Sequence, residues 1–297
     1  MRKDIYRIED LVIDAENAGV PLWQVVLDSE ETNFNIERSL LWERMREIWK
    51  VMRQSVSHGV EQGIKSLSGL VGEEGVLFLD YLNKGMTLSG EGTVLAAARA
   101  LGVAALNSSM GRIVAAPTAG SCGILPAVLL TVAERAGKEE DDVIKALFTA
   151  AGIGLVIDEV ASTAGAQGGC QVECGTASCM AAAAAVEMAG GTPRQAVNAG
   201  AIALKCMMGL VCDPVAGLVE IPCVKRNAAS TAVALLSADM ALAGIESKIP
   251  IDEVVGAMKE VAGMMPAALR ETAEGGLANT PTARSIEDRI FRRCSRQ

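Results

Sequence analysis

Aromatic and basic residues are scarce in this sequence. Aromatic residues make up only 3% of the 297 positions although 50% are hydrophobic, so a core must consist mainly of Ala, Val, Leu, Ile and Met. These small or flexible side chains favour close packing of helices. The formal net charge is −9 and there is no basic stripe, which argues against a nucleic-acid partner because phosphates are neutralised by Lys and Arg.

Histidine is also nearly absent, and this limits the chemistry available to the chain. The single histidine, His58, stands at the start of a segment broken by glycines. It could act as a catalytic base or merely occupy a surface or helix-capping position. If it is not the base, the base must be a Ser, Lys, Cys or carboxylate, or must come from another chain.

An export signal is not expected, because acids interrupt the N-terminal segment MRKDIYRIEDLVIDAENAG and leave no apolar signal core. The longest uncharged run, residues 113–133, is long enough to suggest a membrane span, but Pro and Gly break it. We interpret it as a buried loop followed by a helix. We therefore expect a cytoplasmic protein with no membrane partner.

Helical spacing of apolar residues dominates the rest of the chain, as at Leu41, Met45, Ile48 and Met52. The pattern predicts an all-α fold, although the length is also compatible with about two domains. We expect a single large helical domain over residues 1–297, with Gly- and Pro-rich loops that converge on one site. Residues 1–32 are predicted to form docking helices, and residues 283–297 a C-terminal helix or tail.

Eight cysteines in a chain without an export signal indicate metal ligation or core packing in preference to disulfides. Cys170 follows two glycines, whereas Cys212 and Cys223 lie next to prolines in the segment GLVCDPVAGLVEIPC. Proline and glycine predict turns at these places, and turns present side chains to ligands. We group the three cysteines as one metal-facing set, which is one thiolate short of a closed electron-transfer cluster. An open position on a metal is where chemistry can occur.

A rival set, Cys170, Cys174 and Cys179, has the compact spacing C-x3-C-x4-C. If residues from 174 onward are helical, Cys174 and Cys179 point about 140° apart, which disfavours a shared metal. The neighbours of Cys179 are Ala and Met, as for a buried small hydrophobe. Core packing alone explains four cysteines adequately, but not the three in predicted turns; the four are Cys122, Cys174, Cys179 and Cys206.

Several segments together resemble the alpha chain of bacterial iron-sulfur L-serine dehydratases (L-serine ammonia-lyases). In chain order they are AAPTAGSCGILPAVL, GGCQ, GLVCDPVAGLVEIPCVKRNA and ALRETAEGGLA, within residues 35–285. The resemblance implies a [4Fe–4S] cluster with three cysteine ligands, which map onto Cys170, Cys212 and Cys223. It also implies elimination of water from L-serine, giving pyruvate and ammonia without pyridoxal phosphate, with the iron that lacks a cysteine acting as a Lewis acid.

Substrate-binding candidates lie just before the predicted helix at residue 124. The run Gly120-Ser121-Cys122-Gly123 is typical of a helix N-terminus that binds a carboxylate, or of an ordinary Ser N-cap. Given the resemblance, Thr118, Gly120 and Ser121 are candidates for binding L-serine. The run Lys225-Arg226-Asn227 could pair with the charge of the cluster or of the substrate carboxylate, or could form a solvated helix start.

The resemblance has gaps. Single-chain relatives carry an additional N-terminal module and a polar His-Asn pair where this chain has Cys206-Met207. We prefer the interpretation that the pair is dispensable to the one in which Cys206 partly replaces it. A separately encoded beta chain is therefore expected as partner and could supply a catalytic group. Some relatives return a near-terminal cysteine to the cluster, and Cys294 has roughly that position.

Two other functions are compatible with parts of the sequence. An iron-sulfur redox or sensor protein would have four internal cysteine ligands and a cluster that is inert to serine. A pyridoxal phosphate enzyme would need a Schiff-base lysine, and neither Lys65 nor Lys205 has the expected context. Loops rich in Thr, Ser and Gly beside the three cysteines favour a bound substrate.

Overall fold

Helices make up the regular structure of the computed structural model, which describes residues 7–61 and 63–294, excluding the side chains of residues 293 and 294. Within these residues the one β pairing is an isolated bridge between Cys212 and Arg270, so the all-α prediction is confirmed. The helices are α1 Ile8–Ala18, α2 Leu22–Phe34, α3 Arg38–Gly59, α4 Glu74–Leu82, α5 Glu91–Ser108, α6 Ile124–Ala136, α7 Glu140–Ala161, α8 Gly165–Gly168, α9 Cys170–Met188, α10 Pro193–Met207, α11 Cys223–Leu242, α12 Ile251–Met264 and α13 Pro281–Cys294.

Helix α9 forms the centre of the fold. Every residue from 170 to 186 is buried, and the helix packs against α6, α7, α10 and α11. Its run of five alanines, residues 181–185, lets these neighbours approach closely because each side chain is a single methyl group. The helix considered from residue 174 onward is present, but it begins four residues earlier, at Cys170.

The first two helices pack against the same core as α9. Carboxylates from distant helices bind their N-terminal amides: Asp252 accepts hydrogen bonds from the backbone N–H groups of Ile8 (2.8 Å) and Glu9 (3.0 Å). Glu187 of α9 accepts one from Leu22 at 2.6 Å. Negative charge at a helix N-terminus is favourable, so these contacts fix α1 and α2 on the body of the chain. A partner-docking role for residues 1–32 remains a prediction.

The apolar segment predicted to be a loop and a helix has that form. A loop over residues 111–118 leads through a 3₁₀ turn at 119–121 into α6. The window Ala119–Ala136 could cross a membrane by length and composition, but 61% of it is buried within the fold. This burial is typical of a core helix. The turn and the start of α6 lie beside α9, which places them at the site described next.

Candidate metal centre

Cys170 and Cys223 are the first residues of α9 and α11, so the prediction that they lie in turns is corrected to helix N-termini. Gly169, with φ of 75°, is the one residue between α8 and α9, and a Cβ there would lie 2.9 Å from the carbonyl oxygen of Leu210. Only glycine fits this conformation and close approach. The N–H of Gln171 donates to the same carbonyl at 2.9 Å, which joins α9 to the loop that carries Cys212. Helix N-termini favour thiolates, because backbone amides point toward them.

Cys212 lies in an irregular loop, as predicted. Its N–H donates to the carbonyl of Leu269 at 2.9 Å, and the N–H of Glu271 donates to its carbonyl at 2.7 Å. These two bonds form the isolated bridge to the 266–280 segment. The segments around Cys170, Cys212 and residue 270 are thus held together by backbone hydrogen bonds, independently of any ligand.

A carboxylate that the sequence analysis did not single out joins two of the thiols. Glu173 Oε2 lies 3.9 Å from Cys170 Sγ and 3.8 Å from Cys212 Sγ. Among the described residues these three side chains form the group whose ligand atoms all lie within 4.8 Å of one another. Glu173 is one turn beyond Cys170 on α9, in CQVECG. An acid inside an otherwise apolar buried helix was the signal that could have revealed it.

Glycines and one hydroxyl hold the Glu173 side chain in place. Thr118 Oγ1 donates to Glu173 Oε1 at 2.8 Å. A Cβ on Gly165 would lie 2.5 Å from Oε2, and one on Gly120 would lie 3.0 Å from Oε1, so both glycines leave room for the carboxylate. Burial raises the pKa of Glu173 to about 7, and the negative charge of Cys170 adds to this effect.

Cys223 lies near this group but not within it. Burial raises its own pKa to about 12, and it lies close enough to Cys174 and Cys212 to act on their pKa values, which the interaction with Cys170 and burial raise. The structure therefore brings Cys170, Cys212 and Cys223 into one neighbourhood, with Glu173 between the first two.

The rival cysteine set is divided by the structure. Cys174, four residues after Cys170, lies beside it on the same face of α9, and the interaction with Cys170 and burial raise its pKa well above the ordinary value. Cys179 instead faces α10, where its Sγ would lie 2.8 Å from a Cβ on Gly200. Cys179 is therefore too far around the helix to share a ligand with Cys170.

Arg226 supplies the positive charge at the centre. Its Nη1 lies 3.4 Å from Cys170 Sγ and donates to the carbonyl of Val211 at 2.8 Å, and its Nη2 pairs with Asp213 at 2.8 Å. Hydrogen bonds from Cys174 and Cys212, together with the guanidinium charge, lower the pKa of Cys170 to about 3. Of the two interpretations of residues 225–227, the charge-pairing one applies to Arg226.

The neighbours of Arg226 have other roles. Lys225 forms an ion pair with Glu74 at the surface. Asn227 is buried, accepts a hydrogen bond from the N–H of Gly123 at 2.9 Å and donates to the carbonyl of Gly120 at 2.7 Å. Asn227 therefore fixes the 118–123 segment against α11, and the Gly123 amide is already bonded within the protein.

Of the substrate-binding candidates, Thr118 is the one in contact with the group of thiols and carboxylate. Its Oγ1 also lies 3.2 Å from the hydroxyl of Ser121, which is fully buried. The backbone of Gly120 lies beside Glu173. Thr118, Gly120 and Ser121 thus line one side of the centre, although the amides of Ser121 and Cys122 donate to carbonyls of the same turn.

Several other singled-out residues lie elsewhere. His58 is exposed in the last turn of α3, and Cys206 is exposed on α10. Cys122 packs with Val56 and Val103 in a separate apolar cluster, where burial raises its pKa to about 12. The side chain of Cys294 is outside the described residues, so its suggested return to the centre stays untested.

Comparison with known proteins gives one consistent family. A family model described as the serine dehydratase alpha chain matches residues 17–278. The chain is 51% identical to the "Probable L-serine dehydratase, alpha chain" of Bacillus subtilis (96% of this chain, 94% of the relative) and 43% identical to the "L-serine dehydratase, alpha chain" of Peptoniphilus asaccharolyticus (93% and 94%). It is 37% identical to the "L-serine dehydratase" of Streptomyces coelicolor, over 91% of this chain but only 60% of that longer relative.

Proposed function

This chain belongs to the serine dehydratase alpha chain family, and we infer from that membership that it converts L-serine to pyruvate and ammonia. The elimination removes the β-hydroxyl group and the Cα proton as water, and the resulting aminoacrylate tautomerises to an imine that water hydrolyses. This makes the chain a lyase. The names of its relatives support serine as the substrate, and the cofactor and residue roles below are our proposal.

We propose that Cys170, Cys212 and Cys223 hold a [4Fe–4S] cluster. The observation that carries this proposal is the convergence of three buried cysteines from separate segments beside a half-buried arginine, which matches the preference of iron-sulfur clusters for thiolates and nearby hydrogen-bond donors. Glycine at positions 120 and 165 leaves room for the Glu173 carboxylate beside the thiols. When bound, such a cluster supplies one iron without a cysteine ligand as a Lewis acid, which makes hydroxide a feasible leaving group.

The side chains around the thiols have complementary roles in this proposal. The Thr118 hydroxyl group leaves Glu173 and donates its hydrogen bond to the carboxylate of L-serine instead, and Gly120 and Ser121 complete that side of the site. Glu173, a buried carboxyl group in contact with both thiols, donates the proton from its carboxyl oxygen to the departing hydroxyl group. Arg226 holds the Cys170 thiolate in place through its 3.4 Å contact.

A partner chain completes the enzyme in this proposal. About two fifths of the longer Streptomyces relative lies outside its match to this chain, since the match spans 60% of it. We propose that a separately encoded beta chain provides the corresponding part and the base that removes the Cα proton, because exposed His58 is the only imidazole of this chain. We place the pair in the cytoplasm, with no nucleic-acid or membrane partner.

Anaerobic reconstitution with iron and sulfide tests the proposal. We expect a [4Fe–4S] absorption and EPR signal that changes on adding L-serine and is lost in Cys170→Ala, Cys212→Ala and Cys223→Ala. The matched control is Cys179→Ala, which removes a buried cysteine of α9 that faces α10. Turnover is expected only with the beta chain present, so a lone chain active at full rate would contradict the partner. A cluster indifferent to serine would favour a redox or sensor protein, and no cluster would leave the cysteines as core residues.

A further inference from the structure

Two overlapping ligand sets share Cys170 and Cys212. The proposed cluster needs Cys223 as its third ligand, whereas the side chains that converge most tightly are the two thiols and Glu173. A single metal ion is much smaller than a cluster of four irons, so it requires the tighter set. The same two cysteines can therefore serve two different occupants, each with its own third ligand.

The distances fit one tetrahedral ion. With bonds of about 2.3 Å to sulfur and about 2.0 Å to a carboxylate oxygen, tetrahedral zinc separates these two atoms by about 3.5 Å. The observed separations from Glu173 Oε2, 3.9 Å to Cys170 and 3.8 Å to Cys212, exceed this by only about 0.3–0.4 Å. Small side-chain rotations close that gap, whereas a cluster has to span a wider set of thiols.

The charges also fit a divalent ion. Two thiolates and one carboxylate carry three negative charges, and a divalent ion reduces them to one. Arg226, which also pairs with Asp213, lies beside Cys170 and faces this remaining charge. Burying such charges without compensation is costly. Any thiol or carboxyl group that is protonated in the ion-free chain releases its proton to solvent as its bond to the metal forms.

Glu173 is held ready for this role by its surroundings. Thr118 occupies Oε1 at 2.8 Å and so leaves Oε2 directed at the two thiols. A Cβ on residue 165 would lie 2.5 Å from Oε2, so glycine at this position leaves room for the carboxylate. The hydrogen bond to Oε1 corresponds to the outer partners that orient metal-binding carboxylates in other proteins.

We propose that the chain, when it lacks its cluster, binds one divalent transition-metal ion such as Zn²⁺ or Co²⁺ through Cys170, Glu173 and Cys212, and that this ion competes with cluster assembly. Water takes the fourth position of the tetrahedron. Thiolate ligands suit both ions, and Zn²⁺ binds more tightly than Fe²⁺ to most such sites. Loss of the cluster therefore exposes a site that zinc fills before iron returns. This inference does not depend on serine turnover.

Titration of the full-length, cluster-free chain with Co²⁺ under anaerobic conditions tests this site. We expect one equivalent to bind with ligand-field bands of a tetrahedral ion and a thiolate-to-cobalt charge-transfer band. Cys223→Ser should bind Co²⁺ as the unaltered chain does, whereas Glu173→Gln should weaken binding by at least about tenfold. Iron-sulfide reconstitution should show the opposite dependence, being lost in Cys223→Ser and retained in Glu173→Gln.

Two controls separate the ligand from its surroundings. Glu271 is a second carboxylate near Glu173: a Cβ on Gly165 would lie 3.2 Å from Glu271 Oε2 as well as 2.5 Å from Glu173 Oε2. Glu271→Gln removes this charge and should leave the Co²⁺ affinity unchanged. Cys179→Ser removes a buried thiol of α9 away from the site and should also have no effect. Far-ultraviolet circular dichroism verifies the fold of each variant, and the Cys223→Ser result decides the matter if Glu173→Gln does not fold.

The outcomes distinguish this inference from the proposed function. Absence of Co²⁺ binding, or binding that requires Cys223 and survives Glu173→Gln, would overturn the ion site. Binding that is lost in Glu271→Gln but not in Glu173→Gln would do the same. Failure of the unaltered chain to form any cluster, with Co²⁺ binding as described, would instead reject the proposed function and leave the ion site standing. Preloading with one equivalent of Zn²⁺ should slow cluster formation, and an unchanged rate would refute the competition.

Discussion

Replacing Arg226 by methionine removes the positive charge at the centre while it keeps most of the volume of the side-chain stem. The Asp213 carboxylate then remains in the interior with the Leu277 N–H, at 2.7 Å, as its remaining partner. The side chain of Asp213 is only 3% exposed and that of Arg226 is 16% exposed, so solvent screens this ion pair poorly. We expect the variant to unfold more easily than the unaltered chain, because an uncompensated charge is left buried.

The size of the effect follows from the burial of the pair. Removing one partner of a buried ion pair costs about 3–5 kcal/mol, and the lost hydrogen bond to the Val211 carbonyl acts in the same direction. Asp213→Ala removes the stranded charge, so the double variant should be more stable than the sum of the two single effects predicts. We expect a coupling free energy of about 2 kcal/mol.

Urea unfolding of the four cluster-free chains, followed by circular dichroism under reducing conditions, measures this coupling. Lys225→Ala is the matched control, because Lys225 is the neighbouring cation but is 54% exposed and pairs with Glu74 at the surface. Its loss should cost no more than about 1 kcal/mol. An Arg226→Met cost as small as that of the control, or strictly additive single effects, would refute the assignment of Arg226 to a buried charge network.

Three further predictions concern the substrate, the acid response and the packing. Thr118→Val should raise the KM for L-serine by up to about tenfold with a smaller change in kcat, since it removes one hydrogen bond to the substrate. Steady-state kinetics with the beta chain present measure both constants, and a fall in kcat alone would contradict this role. Burial raises the pKa of Glu187 above its ordinary 4.5, so the folded chain holds this proton more tightly than the unfolded chain. The resulting stability is complete below pH 4.5 and is lost as pH rises through the raised pKa. Urea unfolding midpoints measured against pH should show this loss of stability, and the loss should be smaller in Glu187→Gln. A pH profile of the variant identical to that of the unaltered chain would contradict the assignment. Gly256→Ala should stabilise α12 by about 0.5–1 kcal/mol because its Cβ meets nothing within 4 Å. Gly102→Ala should destabilise by about 1–3 kcal/mol because its Cβ would lie 2.5 Å from the carbonyl oxygen of Gly59; thermal unfolding that ranks these two variants the other way would refute the packing argument.

Local patterns were sufficient to predict most of the helices. The apolar spacing at Leu41, Met45, Ile48 and Met52 correctly predicted a helix, which is α3, and the helix predicted at residue 124 is α6. Proline and glycine also identified the irregular loop around Cys212. These features depend on neighbouring residues, so a single sequence contains the information needed to predict them.

The composition of the site depended on contacts between distant segments. Helix α9 begins at Cys170 because Gly169 turns the chain and Gln171 bonds to Leu210, a residue 39 positions later. No local pattern reveals that bond. The role of Glu173 was missed for the same reason, since only the fold places its carboxylate between two thiols and Thr118.

The expected anion site at the start of α6 shows how a correct local pattern can have a different use. The sequence has the glycine and serine residues typical of a carboxylate-binding helix N-terminus, but the Gly123 amide donates to Asn227. The partner comes from α11, 104 positions later in the chain. The pattern therefore indicated available amides, while the tertiary structure determined that one of them binds a side chain of the protein itself.

The most direct test of the account is a Mössbauer spectrum of the chain reconstituted with ⁵⁷Fe, recorded with and without L-serine in the presence of the beta chain. If three cysteines hold the cluster and serine binds the remaining iron, serine should change the signal of one iron in four and leave the others unaltered. Iron sites that all remain unchanged at saturating serine would contradict the account.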